Sequence, residues 1–342
     1  MTRIADFRSD TVTRPTPAMR RAMAEAVVDD DVLGHDPTTE ELEREGARLL
    51  GKEAAIFVPS GVMANLVAVA THCRPGDEVI TEEWAHTSRF ETGGVGAVAH
   101  VILRTLRSRR GLMDPAEVAS WISGGNEHTP RTALVCLEQT HNFHGGAVVP
   151  IDGLRAVSEA ARTRGVAVHM DGARLWNAVA ASRIDAREYA ALADTVSFCL
   201  SKGLGAPAGS LLCGPAEFLA RARFWRKRLG GGMRQSGVLA AAGLIGLREM
   251  RHRLAEDHTR ARRFAEALAA IGSYTLDLAA VETNIVFFDT GSIDAARIVE
   301  AARARDILLY ATGPHRMRIV THHDVDDACV GRLIELLTDL AR

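Results

Sequence analysis

Two short apolar runs that end abruptly on charged residues constrain this chain more than any other feature. The run VAVHM (166–170) stops at Asp171, and TVSFCL (195–200) stops at Ser201-Lys202. Such runs, β-branched or apolar and bounded by Gly and polar residues, read as strands buried on both faces. Strands of that kind build parallel sheets covered by helices. In an open α/β sheet, ligands bind in the crevice beyond the carboxyl ends of the strands. A carboxylate and an amine are therefore expected to face one crevice.

Asp171 and Lys202 admit two readings. One is an ordinary ion pair. The other is the arrangement that serves pyridoxal 5′-phosphate (PLP): a lysine that condenses with an aldehyde cofactor, and a carboxylate that keeps the pyridine nitrogen protonated so that the ring accepts electrons.

The chain has 342 residues, which suits two domains rather than one small core. A net charge of −2 offers no general attraction to nucleic acid or to an anionic membrane. The five cysteines form no CxxC pair, and their odd number fits no closed disulfide framework, which points to a reducing cytoplasm. The opening MTRIADFRSD carries no apolar signal core. Between Ala54 and Cys73 there are 20 residues without Asp, Glu, Lys or Arg, the length of a membrane span. Pro59-Ser60-Gly61 interrupts that stretch, so it reads as strand, tight turn and helix.

Taken in order, FRSDTVTRPTP is extended or looped, and a helix is expected over 18–28. The acidic run Asp29–Asp31 reads as a solvated turn rather than a metal site. Thr38 and Glu41 have capping-box spacing, so a helix should start there and stop at Gly51. Ser60-Gly61 opens a helix whose free N–H groups and positive dipole end suit a phosphate, although an ordinary strand-to-helix turn reads the same way. Gly94-Val95-Gly96 with Ala99 matches a dinucleotide fingerprint by letter only. A strand follows it where one should precede it, so no nicotinamide site is expected there. Helices are expected near 115–123 and 151–164, and a helical pattern runs from Gly237 to about Ala270. The basic segment 221–234 reads as a solvated helix face, or as arginines reaching a phosphate, in preference to a nucleic-acid patch. Alternating strands and helices up to Gly214 predict a mostly parallel α/β sheet. The remainder predicts a small α+β unit, with the division at 1–250 and 251–342.

With these residues laid out, FRSDTVT, GHDPTT, PSGVMANLVA, LEQTHN, HMDGARLWNA, CLSKGLGAPAGSLLCG, GGGMRQSG and MRIVTH resemble motifs of the low-specificity L-threonine (L-allo-threonine) aldolases, in the family's order along nearly the whole chain. The resemblance implies the aspartate-aminotransferase-like fold of PLP enzymes, fold type I. It implies that Lys202 holds PLP as a Schiff base, that Asp171 pairs with the pyridine nitrogen and that His86 stacks on the ring. Ser60, Gly61 and Val62 would hold the phosphate, with Arg234 reaching the phosphate of a neighbouring subunit. Ser9, Arg174 and Arg318 would bind the substrate carboxylate, and His141 would lie near the substrate β-hydroxyl. Arg174 thus stands close to cofactor and substrate alike. His141, His86 or a water would be the base. No metal ligand is read from the residues.

The implied reaction is cleavage of a β-hydroxy-α-amino acid to glycine and an aldehyde. β-Elimination or transamination on the same fold stays open, as fold alone does not select a reaction. The implied partners are a small amino acid and other copies of the chain, in a homotetramer with shared sites, and neither nucleic acid nor membrane. Val62 stands where the family often has Thr, and Leu33 where it often has Tyr, so a phosphate hydroxyl is lost and a pocket wall is open to change.

Overall fold

The computed structural model describes residues 4–342; the first three residues of the opening MTRIADFRSD lie outside the described residues. A seven-stranded sheet positions everything that follows. Its strands, in chain order, are β1 (Ala54–Val58), β2 (Glu78–Glu82), β3 (Ile102–Leu106), β4 (Thr132–Glu138), β5 (Ala167–Asp171), β6 (Thr195–Cys199) and β7 (Ser210–Gly214). Across the sheet the order is β1-β7-β6-β5-β4-β2-β3. Only β7 runs antiparallel to its neighbours, so the other six strands share one direction. β2, β4, β6 and β7 are buried along their whole length, as the unbroken apolar runs require.

Helices cover both faces. α1 (Pro17–Ala24) stops four residues short of expectation, because Val27 and Val28 are exposed rather than facing a core. α2 (Pro37–Leu50) starts at Asp36 and not at Thr38: Asp36 Oδ1 accepts from Thr39 N at 2.8 Å and Pro37 takes the first helical position. It ends, as expected, at Gly51 in the left-handed region, φ 62°. α3 (Gly61–His72) is apolar almost all round, and such a helix must be buried. Together with β1 it accounts for the uncharged stretch. Among the described residues no helix is long and apolar enough to cross a membrane. Gly94–Ala99 forms a short helix followed by β3, the wrong order for a dinucleotide fold.

The basic segment corrects two expectations. In α4 (Ala216–Arg228), Arg226 is buried, donates to Phe57 O at 2.9 Å and pairs with Asp31 at 2.9 Å. Asp31, read as solvated, is thus buried against it. A run of like charge cannot reveal its buried partner. The helical pattern from Gly237 also breaks, into α5 (Gly237–Arg248), a 3₁₀ turn (Met250–Arg253) and α6 (Leu254–Ile271).

A second core lies toward the C-terminus. Strands β8 (Ile285–Asp289), β9 (Tyr310–Gly313) and β10 (Arg316–Val320) form an antiparallel sheet in the order β8-β10-β9. Phe264, Val286, Phe288, Ile298, Ile319 and Leu333 pack there, and Ala5 and Phe7 join them from the opposite end of the chain. Ala5–Asp6 pairs in parallel with Ile307–Leu308. Each large side chain fully buried in this way stabilises the fold by about 1.5–3 kcal/mol.

Candidate active site

Three neighbouring parallel strands end on a carboxylate. Glu82 closes β2, Glu138 closes β4 and Asp171 closes β5, with Glu138 and Asp171 in register. All three are buried. β6 lies beside β5 and leads into Ser201-Lys202. The carboxyl edge of the sheet is therefore a row of anions faced by one amine.

Each anion has its own partners. Glu138 accepts from His86 N at 2.6 Å and from Asn142 N at 2.8 Å. Asp171 accepts from Ala173 N at 2.9 Å through Oδ1 and from Asn65 Nδ2 at 2.7 Å through Oδ2. Burial pushes the Asp171 carboxyl up. His86, Lys202 and these two hydrogen bonds overcome it, so the net shift is downward and the group is held as an anion. Asn65, buried on α3, gives its other amide proton to Glu91 Oε1 at 2.8 Å and accepts from Ser197 Oγ at 2.9 Å. Its Oδ1 also lies 3.1 Å from His169 Nε2. A carbonyl can only accept, so this ring nitrogen carries the proton. Thr195 Oγ1 then lies 2.9 Å from His169 Nδ1, which must accept. Burial holds His169 down to about 4, neutral as that pattern demands.

His86 Nδ1 lies 2.8 Å from Glu91 Oε1. Burial lowers the imidazole, but the bond to Glu91 and the field of Asp171 outweigh it and the net shift is upward. Glu91 itself is pushed up by burial and by Asp171, against the pull of His86 and Asn65.

A cavity of about 440 Å³ opens above this row. Ser9, His86, Arg174, Lys202 and Arg318 line it, with Asn142, Phe143 and Tyr310. Asp171 lies buried beside His86 beneath it. Arg174 commits one edge of its guanidinium to Asp10, with Nε to Oδ2 at 2.8 Å and Nη2 to Oδ1 at 2.6 Å. Burial raises the Asp10 carboxyl, and Arg174 then drives it well below the ordinary carboxylate range. Arg174 Nη1 is left to Asn142 Oδ1 at 3.0 Å. Arg318, on β10, donates to Arg8 O at 3.1 Å, and its Nε is buried without a partner. Burial and the nearby Arg174 lower its pKa. Two guanidinium groups with unused donors thus converge on one wall.

The other residues singled out from the sequence lie elsewhere. His141 is wholly buried and does not line the cavity; its Nε2 lies 2.9 Å from Glu82 Oε2. The loop reaches the cavity through Asn142 and Phe143 instead. Ser60 caps α3, its Oγ accepting from Met63 N at 3.2 Å, and Val62 is exposed. The N–H groups of Gly61 and Val62 open the helix and have no acceptor within it. A Cβ at Gly61 would stand 2.7 Å from Cys199 Sγ, so only glycine lets the turn sit this close to β6. Arg234 is exposed and pairs with Asp30 at 3.0 Å, and Leu33 is exposed; neither lines this cavity.

Asn65, Glu91 and Asp10 escaped the sequence reading. Asn65 is a lone amide in an apolar helix, a pattern that signals a buried polar contact without naming the partner. Nothing in the sequence pairs Asp10 with Arg174.

Residues 6–291 match the family described as β-eliminating lyase. A low-specificity L-threonine aldolase of Arabidopsis thaliana is 44% identical over 330 residues, covering 94% of this chain and 92% of that one. The low specificity L-threonine aldolase of Escherichia coli (strain K12) is 44% identical over 321 residues, 94% of each chain. The structure of a threonine aldolase of Leishmania major superposes with a TM-score of 0.85 at 22% identity, covering 99% of this chain and 100% of the other, so the fold expected from the sequence is the fold observed. This chain belongs to the β-eliminating lyase family and, within it, to the low-specificity L-threonine aldolases.

Proposed function

We propose that the chain binds PLP at Lys202 and cleaves L-threonine, L-allo-threonine and related β-hydroxy-α-amino acids to glycine and an aldehyde, acetaldehyde for threonine. One observation carries the reading: Lys202 shares its cavity with Arg174 and Arg318, and the buried anion Asp171 lies beneath. The donor set fits the cofactor. An amine suits its aldehyde, a carboxylate held as an anion suits its ring nitrogen, and a helix N-terminus approached through Gly61 suits its phosphate.

PLP, when bound, supplies the electron sink for bonds at the substrate Cα. The chain's residues choose the bond. Arg174 Nη1, Arg318 and Ser9 would bind the substrate carboxylate and so fix which bond at Cα is presented for cleavage. Asp10 holds Arg174 in the orientation that leaves the second proton of Nη1, beside the one given to Asn142, for this. His86, tied to Glu91 and Glu138, would stack on the cofactor ring. His86, His141 or a water takes the β-hydroxyl proton. The Cα–Cβ bond then breaks, its electrons leave Cβ for Cα, the carbonyl of the departing aldehyde forms, and Cα takes up a proton to become glycine. His141 would have to act from behind Asn142.

Ser60, Gly61 and Val62 would take the phosphate. Arg234 would reach the phosphate of a neighbouring copy, which fits its exposure and its place outside the lining of its own chain's cavity. A homotetramer with shared sites, a cytoplasmic location supported by five free cysteines, and a division near residue 250 complete the proposal.

The test is release of aldehyde and glycine from L-threonine and L-allo-threonine, with Lys202→Ala as control. Release from either isomer, abolished in the variant, supports the proposal. Keto acid in place of aldehyde would move the reaction to elimination or transamination.

A further inference from the structure

Behind the cavity, on the other side of Phe143, lies a second cluster of ligating side chains that the aldolase reading does not use as a whole. Glu82 ends β2, and His141 and His144 follow β4. One ligand atom from each lies within 4.8 Å of the others. Both imidazoles direct the same nitrogen at one carboxylate: His141 Nε2 is 2.9 Å from Glu82 Oε2, and His144 Nε2 is 3.2 Å from Oε1. Glu82 is held from outside by Trp84 N at 2.6 Å and by Ser108 Oγ at 2.7 Å. Ser108 Oγ also lies 3.2 Å from His144 Nε2.

We propose that Glu82, His141 and His144 form a site for a divalent transition-metal ion, zinc by preference. Two imidazoles and a carboxylate with no thiolate are a zinc-type set; calcium and magnesium take oxygen ligands. The spacing fits. A tetrahedral zinc about 2.0–2.1 Å from each ligand atom needs those atoms about 3.4 Å apart. The observed 2.9 and 3.2 Å, each to its own oxygen of Glu82, require those pairs to part by only a few tenths of an ångström as the metal replaces the N–H protons, and one nitrogen of each imidazole lies within 4.8 Å of the other. The contacts from Trp84 and Ser108 are the outer partners that orient a ligating carboxylate. His141 and Glu82 are buried, whereas His144 is a quarter exposed and borders a separate cavity of about 290 Å³ with Arg110, Phe143 and Phe287. That cavity supplies an entry path and room for a water as fourth ligand.

The experiment uses the PLP-loaded protein after chelator treatment and dialysis, titrated with Zn²⁺ by calorimetry, and with Co²⁺ for its visible d–d bands. One tight zinc per chain is expected. His144→Ala should weaken it at least about 100-fold, beyond what loss of an outer partner costs, and should abolish the Co²⁺ bands. No tight zinc in the wild type, or zinc binding unchanged in His144→Ala, overturns the proposal. If the variant does not fold, the wild-type Co²⁺ spectrum decides: tetrahedral bands support the site and their absence refutes it. Neither readout involves turnover, so the metal site and the aldolase reading succeed or fail separately.

Discussion

Asn65 Nδ2 donates to Asp171 Oδ2 at 2.7 Å, across 106 residues of chain. The same amide meets Glu91, Ser197 and His169, so all of its hydrogen-bonding capacity is spent. Asn65→Ala strands these buried partners, and an unsatisfied buried group costs about 1–3 kcal/mol. We expect a fall in stability of that order and weaker PLP retention. Asn65→Asp should be worse, because it adds a third carboxylate beside Asp171 and Glu91. Urea unfolding and PLP titration check both; equal behaviour of the two variants would contradict the charge argument.

Asp10 and Arg174 form a buried pair with two parallel hydrogen bonds. Removing one partner of such a pair costs about 3–5 kcal/mol. Asp10→Ala should show that loss in denaturation. It should also raise KM for L-allo-threonine more than it lowers kcat, since in the proposed function Asp10 orients the guanidinium that takes the substrate carboxylate. An unchanged KM in folded Asp10→Ala would remove Asp10 from substrate binding.

Gly61→Val places a branched side chain where even a Cβ stands 2.7 Å from Cys199 Sγ. The turn must move away from β6, and PLP affinity should fall by at least about tenfold, or about 1.4 kcal/mol. Fluorescence titration of the PLP-free protein measures this, and undiminished affinity would place the phosphate elsewhere.

Burial holds His72 down to about 3 and His169 and His258 down to about 4. Unfolded, such residues titrate near 6.5. Between those values the unfolded chain binds more protons, so their contribution is complete above pH 6.5 and is lost as pH falls. His86 and His141 are shifted upward and act with opposite sign. Comparison with His258→Gln isolates one term. With half of the unfolded imidazole already protonated at pH 6.5, wild type should lose about 1.6 kcal/mol more than the variant between pH 6.5 and 5. Parallel urea midpoints across that range would show that His258 is not buried in its neutral form.

The strands that end on Asp171 and precede Lys202 were legible because burial on both faces leaves a run of one character with a sharp end. The α/β class and the lining residues Ser9, His86, Arg174, Lys202 and Arg318 followed from those runs and from the family resemblance. What was lost is long-range pairing. Asp31 reads as a solvated charge until Arg226 is seen folded over it. Asp36 is hidden as a helix cap because Thr38 and Glu41 offer the more familiar spacing. His141 looked available because a histidine in a polar loop gives no sign that Glu82, from another strand, will bury it.

The strand Ala5–Asp6 and Phe7 belong to a core whose other members begin at Ala261. During synthesis the sheet of β1 to β7 can assemble while the opening segment still lacks its partners in that core. Ala5 meets Ile307 only after nearly all of the chain has emerged. The stretch that carries Ser9 and Asp10 is held from both sides, by Arg174 in the first core and by Ile307 in the second, so a nascent chain cannot complete the wall of Ser9, Arg174 and Arg318 before its second core exists.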